Sequence, residues 1–509
     1  MMSLTITPVL LPLIAGFSLL LLRQQSLAVQ RLFSLGFILA LVMIALNLVS
    51  TAASGEHQVY LAGNWMAPFG IVFVLDQLSA LMVLLTALLA LAAMTYTIAH
   101  KIDELGAHFH VLFQLQLFGL NGAFMTGDVF NLFVFFEVLL LASYGLLLHG
   151  GGRLRTKAGL HYVVINLIGS TLFLFAVGAL YGAVGTLNLA DMADKIAQAP
   201  EERHGLIASA GLLLLIVFGL KAAMFPLYLW LPAAYSQTSA PVAALFAIMT
   251  KVGLYAIIRV HGTLFGEAAG PLAYLHIDWV LVSGLITLVL AALAVIAAKG
   301  LREQVAYLVL ASVATLLIGI GLNRDGSLAA TLFYLVHSTL IAAALFLLAD
   351  TISRGRGDFA DKFVSAPAIP QAIFIGAVFM FAAIAMTGMP PLSGFFGKLA
   401  LLNSALTHPW IFTIFAVVLL SSLLLIIAMA RAGSLLFYRT QPTTESVTTP
   451  PNRLALSAVL ALLSVAALMV VFANPMHEWT QSIAQQQLAH STYLNAVLST
   501  PVITREVSP

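Results

Sequence analysis

The sequence predicts an all-α polytopic membrane protein of about 14 transmembrane helices. Three observations carry this. Hydrophobic residues make up 61% of the 509 and charged residues only 8%, with a mean hydropathy of +1.03. A water-soluble domain cannot bury that much apolar surface while leaving so little polar surface for water. The apolar runs recur at a length of about 20 residues, which matches the hydrocarbon thickness of a bilayer. Strand-type alternation, the signature of an outer-membrane barrel, is missing.

Apolar runs and the polar breaks between them place spans at roughly 4–22, 31–52, 76–98, 108–126, 129–148, 158–184, 205–233, 239–260, 273–298, 302–322, 328–350, 368–405, 408–438 and 453–473. Span 7 contains Pro226 and Pro232, and span 12 contains Pro390 and Pro391. The first run, "MMSLTITPVLLPLIAGFSLLLLRQQ", has no positive segment before it; Arg23 and Arg31 follow it. It reads as a retained helix that starts outside. With that orientation thirteen basic residues fall on inside loops. Five fall outside: Lys195, Arg203, Arg259, Arg324 and Arg505. This asymmetry supports an outside N-terminus and an even number of spans.

The organisation follows. Residues 1–107 hold spans 1–3, with 54–75 forming an outside hairpin. Residues 108–260 and 261–438 are two five-helix groups, spans 4–8 and 9–13. Residues 439–509 hold an inside linker (438–453, rich in Thr and Pro), span 14 and a C-terminal tail. "LNLADMADKIAQAPEERHG" is amphipathic and predicts a short surface helix. No segment is large enough for a nucleotide-binding domain, and "GGGRLRTKAG" matches no phosphate-binding loop. The chain has no cysteine, which excludes disulfides and cysteine-ligated zinc or iron–sulfur centres. A net charge of +2 without a basic block argues against nucleic acid.

Charges inside spans are rare, costly and usually functional. This chain has Glu137 in span 5, Lys221 in span 7, Lys251 in span 8, His337 in span 11 and Lys398 in span 12. Each has a plainer alternative. Glu137 could be a structural carboxylate bonded to Ser143 or Tyr144, Lys221 could snorkel to a surface, and a lone His such as His337 could be a satisfied core residue. Asp76 and Asp128 begin spans 3 and 5, where an acid also suits a helix N-terminus. Tyr144, His161, Ser312 and Arg431 are secondary candidates; Arg431 also fits the inside end of span 13, and His149 and His161 sit near inside ends. His100, His108 and His110 lie in one loop, a spacing that is weak grounds for a metal.

Five is an odd number, so the second group must be inverted relative to the first. The third member of each group is the proline-broken one and carries a lysine. Matching interrupted helices point to an inverted repeat with polar sites at mid-membrane. The second half has no glutamate to match Glu137; "LVLASVATLLIGIG" offers only Ser312 and Thr315.

These residues resemble a known family. "FNLFVFFEVLLLASY", "APVAALFAIMTKVGLYAIIR", "GLKAAMFPLYLWLPAAY" and "TGMPPLSGFFGKLALL" are similar to the fifth, eighth, broken seventh and broken twelfth helices of the proton-translocating, antiporter-like subunits. That family includes large membrane subunits of respiratory complex I, membrane-bound hydrogenases and Mrp-type multisubunit cation/proton antiporters. The resemblance covers most of the chain and favours the D subunit of an Mrp-type antiporter, because the chain stops soon after span 14 and carries lysine at 398. Many relatives have a further lysine in span 11 where this chain has Ile341 and Ala342.

The resemblance implies a secondary transporter of a bacterial inner membrane, without cofactor, working beside other hydrophobic subunits. Protons would pass along Glu137, Lys221, Lys251, His337 and Lys398, coupled to Na⁺ or K⁺ efflux. The alternatives are a proton-pumping subunit of a redox-driven complex and a stand-alone solute transporter. The residue types suit the task. Burial disfavours a charged lysine and a nearby carboxylate restores it; at about 4 Å and an effective dielectric near 20 the attraction is roughly 4 kcal/mol. A Glu137–Lys221 pair would therefore hold a proton when closed and release it when open. Lysines are poor cation ligands, so the cation path can lie elsewhere.

Overall fold

The computed structural model describes residues 4–441 and 450–501. Arg505 and half of the 438–453 linker, residues 442–449, lie outside those residues. The chain is an almost wholly helical membrane protein. In order, the helices are α1 (Thr7–Leu21), α2 (Leu27–Ala52), α3 (Gln77–Ala99), α4 (Phe109–Met125), α5 (Val129–Leu148), α6 (Arg153–Val184), α7 (Leu189–Ala197), α8 (Glu201–Ala222), α9 (Trp230–Gln237), α10 (Ala240–Phe246) and α11 (Met249–Ala256). Then come α12 (Gly262–Leu264), α13 (Ile277–Ala297), α14 (Leu301–Gly321), α15 (Asp325–Gly355), α16 (Ala372–Thr387), α17 (Ser393–Ser404), α18 (Ile411–Gly433), α19 (Arg453–Val471), α20 (Ala473–Leu488) and α21 (His490–Leu498).

Among the described residues, twelve helical segments are long and apolar enough to cross a membrane. The expected spans 4 and 12 are not among them. The first corresponds to α4, which has 17 residues. The second is divided into α16 and α17, of 16 and 12 residues. Expected span 7 is likewise divided, into α8 and α9. Its break falls around Pro226, while Pro232 lies inside α9. Proline near the break removes a backbone donor and crowds the preceding turn.

The loop 54–75 folds as a hairpin, with β1 (Gln58–Leu61) antiparallel to β2 (Val72–Leu75) and Gln58 opposite Leu75. The segment after α6 forms α7, which buries Leu189, Met192 and Ile196 and turns its charges outward. The tail after α19 is not extended: α20 and α21 fold back over the end of the bundle where α3 begins. Gln486 Oε1 accepts the Gln77 backbone N–H, Ser482 accepts from the Gln77 side chain, and Gln487 donates to Asp76.

The centre of the bundle is α15. Its apolar window is entirely buried, with α3, α10, α14, α16, α17, α19 and α20 packed around it. A helix enclosed in this way meets no lipid, so its polar side chains are confined to protein neighbours. The outer helices α2, α6 and α18 keep broad apolar faces turned away from the rest of the chain.

Arg259 corrects one topological expectation. It is not in an outside loop; it is buried in a π-helical turn, Ile257–His261, that continues α11. There it forms an ion pair with Asp76 and donates from Nε to the Tyr255 hydroxyl at 3.2 Å.

Candidate functional site

The break after α8 is shaped by its last turn. Ala223 takes a left-handed conformation (φ 60°) and closes the helix. The indole N–H of Trp230, at the start of α9, donates to the Leu220 carbonyl at 3.1 Å, a second bond to an oxygen that also accepts the Ala223 backbone N–H. Lys221 occupies this last turn, where the helix dipole favours a cation. Its ammonium does not reach Glu137. It donates instead to Asn166 Oδ1 on α6 at 3.1 Å. The contact continues: Asn166 Nδ2 donates to the Tyr162 carbonyl at 2.9 Å, and the Tyr162 hydroxyl meets Ser143 on α5 at 2.9 Å. A small cavity, about 10 Å³, is lined by Lys221, Asn166, Tyr162, Trp230, Met249 and Val252.

Glu137 occupies a different place from the one expected. On α5 the exposed residues are Phe130, Val134, Leu141 and Leu148. Glu137 lies in that same stripe, between Val134 and Leu141, and is half-buried. Its Oε1 is buried without a hydrogen-bond partner. The seven ion pairs among the described residues include neither Glu137 nor Lys221, Lys251 or Lys398. The alternative of a bond to Ser143 also fails, since Ser143 donates to the Leu140 carbonyl and meets Tyr162. Tyr144, half-buried, packs its ring edge-on to Tyr162 at 5.5 Å.

Lys251 is fully buried on α11, and the hydrogen bond of its ammonium is to the neighbouring Thr250 hydroxyl at 3.4 Å. Its helix packs on α8 and α14, and α10 packs on α15. Gly253 permits this. A Cβ there would lie 2.4 Å from the Ala222 nitrogen and 2.7 Å from the Phe218 carbonyl oxygen, so only glycine allows α11 so close to the end of α8.

The second break brings two predicted residues together. α16 stops at Thr387, Gly388 turns left-handed (φ 77°), and α17 starts at Ser393. His337, on α15, spans the gap. Its Nε2 is 3.0 Å from the Ala385 carbonyl oxygen and its Nδ1 is 2.8 Å from Ser393 Oγ. A carbonyl only accepts, so Nε2 carries the proton, and in a neutral ring Nδ1 accepts from the serine. Lys398 donates to the Thr387 carbonyl at 2.8 Å and to Ser422 on α18 at 3.0 Å. Its ammonium thus meets the C-terminal end of α16. Gly394 is required here: a Cβ would lie 2.4 Å from the Ala385 oxygen and 2.7 Å from His337 Nε2.

The secondary candidates divide. Asp76 and Asp128 are both N-caps, accepting from the backbone N–H of Ser79 and Asn131. Asp76 is fully buried and paired with the Arg259 guanidinium. Burial raises Asp128 to about 6. Ser312 is buried and bonds back to the Val309 carbonyl of its own helix. His161 and Arg431 are exposed. His149 meets the Ile102 carbonyl and His110 meets Asp103. Among the described residues no group of three or more His, Cys, Asp or Glu is placed to hold a metal ion.

Asn166, Tyr162, Ser393 and Ser422 were not singled out from the sequence. Asn166 is a lone amide in "YVVINLIGS" and Ser422 belongs to a serine pair in "LLSSLLLI". A polar residue interrupting an apolar run was the signal that could have found them.

Residues 126–424 match the family described as NADH:quinone oxidoreductase/Mrp antiporter, TM, and the chain belongs to that family. It is 41% identical to the D subunit of a probable K(+)/H(+) antiporter of Rhizobium meliloti (strain 1021), covering 98% of each chain. It is 34% identical to the D subunit of a Na(+)/H(+) antiporter of Bacillus subtilis (strain 168), covering 98% of this chain and all of that one. Its fold matches a chain of the Mrp complex from Dietzia sp. DQ12-45-1b with a TM-score of 0.83 at 26% identity, covering 98% of this chain and 100% of that one. It also matches a chain of respiratory complex I from Thermus thermophilus with a TM-score of 0.76 at 24% identity, covering 95% and 99%.

Proposed function

We propose that this chain is the proton-translocating subunit of a multisubunit monovalent cation/proton antiporter. In this reading protons move along an axis of Glu137, Lys221, Lys251, His337 and Lys398, coupled to efflux of Na⁺ or K⁺. The observation that carries it is the trio of buried lysines, one of them bonded to the Asn166 amide and another to the last carbonyl of α16. Such groups are expensive in a bilayer and serve proton relays far more readily than packing. The antiporter names of the relatives support the same reading.

The membrane order proposed is fourteen spans, counting α4 and treating α8–α9 and α16–α17 as one interrupted span each. Residues 108–260 and 261–438 then form inverted repeats, with the N-terminus outside in a bacterial inner membrane. The pair-switch is revised. Asn166 is the direct partner of Lys221, and Glu137 acts on it through space.

The test is ΔpH-driven exchange in everted membrane vesicles, read with a pH-sensitive dye on addition of Na⁺ or K⁺. Glu137→Ala and Lys221→Ala should each abolish exchange while the complex still assembles. Near-normal exchange in either variant would overturn the reading.

A further inference from the structure

A cleft opens where four helix ends meet: the last residues of α3 and α15 and the first of α16 and α19. Its empty space is about 920 Å³. His100, Thr351, Arg354 and Asn452 supply its polar lining, and Ile369 and Ile375 part of its apolar lining. Because all four are helix ends, the cleft lies at the membrane–water boundary. Lys101, Arg354 and Arg453 are at the same ends.

The local charge is positive. Behind the lining, Asp350 is held by two arginines, with Arg354 Nε at 2.7 Å and Arg302 Nη2 at 3.4 Å, and it also accepts from the Tyr96 hydroxyl at 3.0 Å. Two guanidinium groups share one carboxylate, leaving one positive charge in excess. The Arg354 side chain remains 45% exposed. His100 Nε2 is buried and has no hydrogen-bond partner. Burial, then the Arg354 charge, holds His100 below the usual histidine range. The first turn of α16 borders the cleft with no side-chain cap, so its positive helix end adds to the field. Outside the cleft, Ile373, Phe374 and Leu454 present exposed apolar surface on α16 and α19.

We infer that this cleft is a binding site for the phosphate of an anionic phospholipid headgroup. Arg354 supplies a guanidinium fork suited to phosphate oxygens, and the unpartnered His100 nitrogen a further polar contact. The apolar side chains of α16 and α19 lie where the acyl chains would run. A basic pocket between helix ends at a membrane surface is the setting in which such headgroups are held.

The test uses the purified full-length chain in detergent micelles, exposed to equal amounts of phosphatidylglycerol and phosphatidylcholine, with bound lipid counted by native mass spectrometry. The site should retain phosphatidylglycerol about tenfold over phosphatidylcholine, and Arg354→Gln should cut that retention about fivefold. Arg354→Gln also loosens Asp350, so His100→Ala, which disturbs no ion pair, is the second variant and should weaken retention as well. Equal retention of the two lipids, or phosphatidylglycerol retention unchanged in both variants, overturns the site. Inorganic phosphate that displaces the lipid at equal concentration would overturn the lipid as its occupant.

Discussion

At the scale of single residues, Asn166 changes the chemistry most. A lysine facing only apolar groups would have nowhere to direct its N–H bonds. Here Asn166 Oδ1 accepts one at 3.1 Å, and an amide oxygen can accept from a charged or a neutral amine alike. It can therefore hold Lys221 in place through both protonation states. Asn166→Leu keeps the volume and removes the acceptor. Leaving a buried amine unsatisfied costs about 1–3 kcal/mol or more, so vesicle exchange should fall about tenfold or further with assembly retained. Unchanged exchange in that variant would remove Asn166 from the relay. Its role was not legible beforehand because its partner is 55 residues away in sequence. The lysines were legible because a charge in an apolar run is visible locally.

At the scale of elements, the two interrupted helices do their work by geometry. Each break frees carbonyl groups, and each is met by named donors: Trp230 and Lys398. The second break depends on glycine. Gly394→Ala would force a methyl into the Ala385 carbonyl and the His337 ring. Overpacking of this kind costs about 1–3 kcal/mol, and here it would also part His337 from its two partners. Exchange should drop at least as far as in His337→Ala, with a measurable fall in thermal unfolding temperature. Wild-type exchange in Gly394→Ala would show that the close approach is dispensable. Proline in spans 7 and 12 pointed to both breaks, and Trp230 and Lys398 lie close by in the chain, but His337, which spans the second break, comes from α15, about fifty residues away.

At the scale of the whole molecule, buried charge clasps hold both ends of the bundle. At one end Asp76 joins Arg259 and Gln487, tying α3 to the turn after α11 and to the C-terminal helices. At the other, Arg31 on α2 grips Asp103 with two bonds of 2.7 Å, and His110 on α4 meets the same carboxylate at 3.1 Å. Burial works against charge on Asp103, but these hydrogen bonds outweigh it and hold its carboxyl at about 2. The folded value lies below the model-peptide value of about 3.9. The clasp therefore contributes stability above about pH 4 and loses it as pH falls toward 2. Thermal unfolding in detergent at pH 5 and pH 3 should show this loss, and Asp103→Asn should reduce the difference. An identical pH response in that variant would assign the acid sensitivity elsewhere.

Composition, span length and the placement of proline are local properties, readable one residue at a time. From them alone follow the helical membrane class, the surface helix α7, the hairpin and the list of intramembrane charges. Which of those charges meet is a property of packing between segments far apart in the chain. Only the tertiary structure left Glu137 without an ion pair, gave Lys221 to Asn166, placed His337 across the second break and buried Arg259 against Asp76. The reason is physical. A bilayer selects for apolarity residue by residue, while a hydrogen bond forms only where two particular side chains are brought within about 3 Å.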